Sequence, residues 1–199
     1  MVEIRIYVEG GGDGKETKAT FRQGMSQFLH RLTGRRVTCV VCGSRNAAHE
    51  NFTHGLESHP NAINLLLVDS EDFVRVSSAK QHLINRDQWD FLGIDENDIH
   101  LMVQVMESWL IADIDTLANY YGQGFNRNAI TRNNNVEQIS KAQIESTLKR
   151  ATERTQKGEY HKIKHGPKIL EIIDVSTVRR RHTENSYLER LFQRITNIS

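Results

Sequence analysis

The sequence predicts an α/β protein built on a parallel sheet with helices on both faces. Two patterns carry that expectation. Short β-branched runs alternate with helix-periodic stretches over the first 121 residues, the order expected of strands joined by crossover helices. The run Ala62 to Val68 (AINLLLV) is apolar with almost no alternation, as in a strand covered on both faces.

The first strand is expected at Val2 to Val8, with Ile4, Ile6 and Val8 on one face. Gly10, Gly11, Gly12 and Gly14 end it. A helix follows from about Lys15 to Leu32, its apolar stripe formed by Phe21, Met25, Phe28, Leu29 and Leu32. Arg36 to Cys42 reads as a second strand, and Ser44 as the cap of a helix reaching about Leu56. Ala62 to Val68 is the third strand and Ile99 to Met106 the fourth. The fourth feeds a helix from Ser108 to about Tyr121. Gly122 to Asn135 reads as a loop. Helical patterns then cover Val136 to about Thr155, Lys168 to Ile173, and Leu188 to Ile195. The whole chain, 1–199, is expected to be one domain, with a sheet core over 1–125 and a helical C-terminal extension over 126–199.

Composition narrows the class. With 38% hydrophobic and 26% charged residues and only two prolines, the chain is neither disordered nor collagen-like. No apolar run approaches the ~20 residues of a membrane span, and two cysteines cannot build a disulfide framework. A cytoplasmic protein without membrane contact is expected. The net charge of +1 is a cancellation: residues 1–140 hold 13 basic and 18 acidic side chains, whereas 141–199 hold 13 and 7.

In an open parallel sheet, ligands bind beyond the carboxyl ends of the strands. Strand one delivers Glu9 there, strand two Gly43, Ser44 and Arg45, strand three Asp69, Ser70 and Glu71, and strand four Glu107. Asp69 and Glu71 point to the same side if the strand persists. Carboxylates converging on one rim repel unless a cation lies between them. Hard oxygen donors of this kind suit Mg²⁺ or Mn²⁺, metals that most often handle phosphate esters. Asp13 and Asp72 fit helix caps or solvated loop acids.

A strand ending in Val8-Glu9-Gly10 and a later one ending in Asp69-Ser70-Glu71 resemble the TOPRIM fold of topoisomerases, bacterial primases and overcoming-lysogenization-defect nucleases. The longer motifs VEGGGD, VCGSRN, LLLVDSED, HLMVQVMESWLIAD, YYGQGFN and KGEYHK resemble a bacterial TOPRIM-like family often encoded beside ABC/AAA-type ATPases, in settings linked to phage defence. The resemblance implies a four-stranded parallel sheet and metal-dependent phosphoryl transfer. It makes Glu9 a general acid/base or metal ligand, and Asp69 and Glu71 metal ligands. Glu71 stands where that motif usually has Asp. Glu107 has no counterpart in the minimal motif and joins the set by its strand-end position.

The lysine-rich stretch and Arg179-Arg180-Arg181 suit a phosphate backbone. TOPRIM nucleases often use a downstream lysine on the leaving group, for which Lys162 and Lys164 are the candidates. Lys15, Arg45, Lys162, Lys164, Lys168 and Arg180 are the expected nucleic-acid contacts. Other motifs carry less. In EGGGDGKE, Glu9 replaces the first glycine of a nucleotide-binding loop and Glu16 its Ser/Thr, so the glycines read as a close backbone approach to phosphate. Cys39 and Cys42, three apart in a strand, face opposite sides. His161 and His165 have helical ligand spacing, but the surrounding lysines oppose a cation. These readings predict a Mg²⁺- or Mn²⁺-dependent nuclease acting on DNA or RNA, with an ATPase partner. The rival is a non-catalytic TOPRIM-shaped subunit of an ATPase complex.

Overall fold

The computed structural model describes residues 2–198. Its sheet contains β1 (Ile4–Glu9), β2 (Thr38–Gly43), β3 (Ile63–Asp69) and β4 (Ile99–Met102). All neighbours are parallel, in the order β2-β1-β3-β4. From β1 the chain first builds outward to β2, then returns to place β3 on the other side. That reversal makes the junction of β1 and β3 the topological switch point, where ligands gather in such sheets. Glu9 ends one of these two strands and Asp69 the other.

Alternation assigns each face its helices. Ile4, Ile6 and Val8 of β1 and Leu65 and Leu67 of β3 pack with α1 (Lys15–Thr33) and the C-terminal helices. Tyr7, Leu66 and Val68 face α2 (Arg45–Ser58) and α3 (Ala79–Asp87). Cys39 and Cys42 fall on opposite faces, as expected, and burial pushes both thiols up to about 11.

After β4 come α4 (Glu107–Ala112), α5 (Ile114–Tyr121), α6 (Lys141–Thr152), α7 (Lys162–Leu170), α8 (Val175–Arg180) and α9 (Tyr187–Thr196). Ile144, Leu148, Ile169, Leu188 and Leu191 share one core with the sheet. The C-terminal third therefore packs on the sheet, and it does so on the α1 face.

Several elements differ from the sequence reading, each for a local reason. The fourth strand stops at Met102, and the expected 108–121 helix is two helices. Asp113 divides them, accepting the Thr116 N–H as cap of α5 and the Asp174 N–H from the loop before α8. Asn135 and Ser140 likewise cap separate elements, a 3₁₀ turn and α6. Helix α3 was not anticipated, because only Ala79, His82 and Leu83 of its nine residues are buried, leaving little periodicity to read.

Helix α7 begins six residues before the expected Lys168 and runs through Pro167. It lies along α1 at close range. A Cβ on Gly24 would stand 2.2 Å from the Pro167 carbonyl oxygen, so only glycine admits this approach. Arg31, near the far end of α1, donates to the Leu170 and Ile173 carbonyls. Helix α7 thus starts at the carboxyl rim of the sheet and runs parallel to α1, away from it.

Candidate metal centre

Glu9, Asp69 and Glu71 each offer a carboxylate oxygen, and these three oxygens lie within 4.8 Å of one another. The switch point supplies the first two. The Asp69 N–H donates to Glu9 Oε2 at 3.1 Å, which ties the ends of β1 and β3 together. Glu71 arrives differently from expectation. The strand does not persist; β3 ends at Asp69, and Glu71 turns into the left-handed region at φ 66°. A non-glycine residue pays steric strain there, of order 1 kcal/mol. The Glu71 N–H donates to the Gln104 carbonyl at 2.8 Å, holding the turn against the segment after β4.

Asp69 is almost fully buried. Its Oδ1 accepts the Met106 N–H at 2.8 Å, and its Oδ2 accepts from Lys162 Nζ at 2.8 Å. Lys162 is the first residue of α7, so the α1–α7 packing delivers its ammonium to the rim. The same ammonium stands 3.5 Å from Glu107 Oε2, while Glu107 Oε1 accepts from the Tyr160 hydroxyl at 2.9 Å. Glu107 therefore corrects the sequence reading. It starts α4 instead of ending β4, and it stands outside the three-carboxylate cluster as a partner of Lys162 and Tyr160.

Burial, then the charge of Asp69, pushes the Glu9 carboxyl up to about 7, against the pull of Arg45 and Lys162. Glu107 is raised by burial and by Asp69, with Lys162 opposing. Burial works against the Lys162 ammonium, but Asp69 and Glu107 outweigh it and hold the charge well above the usual lysine range. With all four carboxylates ionised, Glu9, Asp69, Glu71 and Glu107 face the ammoniums of Lys162 and Lys141. Arg45 also reaches Glu9 and shares Asp87 with Arg86, so the rim is short of one positive charge.

The other expected contacts divide. Arg45 sits at the rim, clamped by Asp87 at 2.7 and 2.8 Å and lying 3.4 Å from Glu9 Oε2, with its guanidinium over Trp89 and a further bond to the Asp69 carbonyl. Its donors are engaged within the protein, so it positions Glu9. Lys15 is exposed at the rim-side start of α1. Lys164 and Lys168 are exposed on α7, and neither makes an ion pair among the described residues. Lys162 alone of the two catalytic candidates reaches the carboxylates, since residues two apart on a helix do not share a face.

Arg180 lies on α8, which packs beside the far end of α1, about 25 Å along that helix from its rim-side start. The structure does not bring it to the carboxylates. The glycine loop is tightly packed on its side-chain side. Added Cβ atoms on Gly10, Gly11 and Gly12 would meet Phe21, Val41 and Ile163 at 2.7–2.9 Å, and the three glycines line a cavity of about 180 Å³ beside Glu9 and Lys162.

Sequence reasoning missed Lys141, Gln104, Asp87 and Tyr160 as parts of this site. Lys141, the first residue of α6, donates to Glu71 Oε2 at 2.5 Å. Tyr160 lay within the KGEYHK motif, two residues before Lys162. The others carried no local signal, because only the folded chain brings them to the rim.

The fold and site define an α/β protein with an acidic, lysine-bearing cluster at the switch point of a parallel sheet. Residues 8–193 match the family described as Domain of unknown function (DUF4276), and the chain belongs to that family. No curated protein and no solved structure matches it at a significant level.

Proposed function

We propose that the chain is a divalent-metal-dependent nuclease of TOPRIM type. One observation carries the reading: three carboxylate oxygens from two adjacent strand ends converge within 4.8 Å, leaving the rim short of positive charge. The donor set fits the metal. Three hard oxygens suit Mg²⁺ or Mn²⁺, and the absence of histidine or cysteine among them disfavours zinc. Glu9, Asp69 and Glu71 would be its ligands. Bound there, the ion supplies charge neutralisation at a phosphoryl oxygen and acidifies water.

The protein's own groups have separate tasks. Glu9, steadied by Arg45 and the Asp69 N–H, would either complete the metal's ligand set or, left unligated, take the proton of the attacking water. Lys162 carries a permanent positive charge to the leaving oxygen, and Tyr160 and Glu107 position it. Lys15, Lys164 and Lys168 remain free for a phosphate backbone, which lysine binds without sequence preference.

Incubation of the pure protein with labelled DNA and tRNA in Mn²⁺ tests the reading. Cleavage is expected in wild type and is abolished in Glu9→Ala and Asp69→Ala proteins that keep the wild-type circular dichroism. Cleavage that survives both substitutions sinks it. The ATPase partnership is supported by the family resemblance, and repeating the assay with the neighbouring ATPase tests that part.

A further inference from the structure

We infer that Lys141 is a built-in, displaceable counter-ion of the metal centre: its ammonium holds Glu71 in the metal-free chain and gives way when a divalent cation binds. This rests on the metal reading above and assigns a role to a residue outside the expected site.

The two rim lysines are similarly exposed, Lys162 at 44% and Lys141 at 37%, but their partners are not. Lys162 contacts Asp69 and Glu107, whose side chains are 1% and 7% exposed. Its departure strands two buried carboxylates without their cation, which is strongly unfavourable. Lys141 contacts Glu71, with side chains 37% and 22% exposed. Water can resolvate both groups when this pair opens, and such pairs are weak. Of the cations on the three clustered carboxylates, Arg45 is clamped by Asp87 and Lys162 is held by two buried acids, which leaves the Lys141–Glu71 contact as the one that opens most cheaply. Lys162 stays and Lys141 yields.

The backbone around Lys141 is arranged to survive the exchange. Its N–H donates to Gln104 Oε1 at 2.9 Å, and the Gln104 carbonyl accepts the Glu71 N–H at 2.8 Å. Ser140 and Gln143 close a capping box at the same helix start. Gln104 thus holds both backbones in place, so only side chains need to move. The freed ammonium remains beside a 290 Å³ cavity lined by Lys141, Lys149, Tyr160, Lys162 and Glu107.

Calorimetric titration of Mn²⁺ tests the inference. Lys141→Met is expected to tighten Mn²⁺ binding about threefold to tenfold, the loss of one weak competing ion pair and one nearby like charge. In a Glu71→Gln background the same substitution is expected to change little, because its competitor is gone. Unchanged or weakened Mn²⁺ binding in a folded Lys141→Met protein overturns the inference and makes Lys141 a strut for Glu71. Thermal melts of each protein confirm folding. Absence of Mn²⁺ binding by the wild type defeats the metal reading itself. Wild-type binding that Asp69→Asn removes but Lys141→Met fails to tighten defeats this inference alone.

Discussion

The two ends of the sheet use the same side chains for opposite purposes. Away from the carboxyl rim, the half-buried arginines have partners of their own. Arg179 grips Glu189 through Nε and Nη2 and stacks on Phe192, Arg194 pairs with Asp98, and Arg181 donates to the Asn133 carbonyl. At the rim, four carboxylates share two ammoniums and the Arg45 guanidinium, which also pairs with Asp87. Closed pairs are architecture. A buried cluster that does not balance is a place for something charged to bind.

Acid and base should therefore strain the two ends in opposite directions, and this is the largest effect expected. Burial, reinforced by Arg194 and Arg190, lowers His100 at the start of β4 to about 4. The unfolded chain takes that proton first, so the stability tied to His100 is complete above pH 6.5 and falls away between 6.5 and 4, by about 3 kcal/mol. Glu9 is raised to about 7. In chelator, its share is complete below pH 4.5 and is lost as pH rises to 7, by about 2–3 kcal/mol. Urea titrations across pH should show His100→Gln flattening the acid limb and Glu9→Gln the neutral limb. If either substitution flattened both limbs, the separation of the two ends would be wrong.

Removing one cation from each end sharpens the contrast. Lys162→Met leaves Asp69 and Glu107 buried without their ammonium and should cost about 2–3 kcal/mol, below the usual range for a broken buried pair because Lys162 itself is partly exposed. Arg179→Ala should cost about 1 kcal/mol, from a half-exposed bidentate pair and its stacking on Phe192. Arg180→Ala, on an exposed side chain bonded to Thr177, should stay within about 0.5 kcal/mol. Denaturation midpoints in chelator give the ranking. Equal losses at Lys162 and Arg180 would erase the distinction.

Much of this architecture was legible in the sequence. The four strand runs, the α1 stripe and the acids at strand ends follow from periodicity and position, and they led to Glu9, Asp69 and Glu71. Glu71 was found for an incomplete reason. Its approach depends on a left-handed turn held by Gln104, a contact across 33 residues that no local pattern records. Glu107 was misplaced because the apolar run IHLMVQVM continues past the point where pairing with β3 stops. The basic C-terminal residues look alike as sequence, yet helix direction sends Lys162 to the rim and Arg180 to the far end.

The centre itself is tested by titrating Mn²⁺ into wild type and Asp69→Asn, with thermal melts alongside. Wild type is expected to bind with a saturable heat and to melt higher in Mn²⁺, whereas Asp69→Asn folds but shows neither response. Indistinguishable heats and melting shifts in the two proteins would refute a metal centre at the switch point.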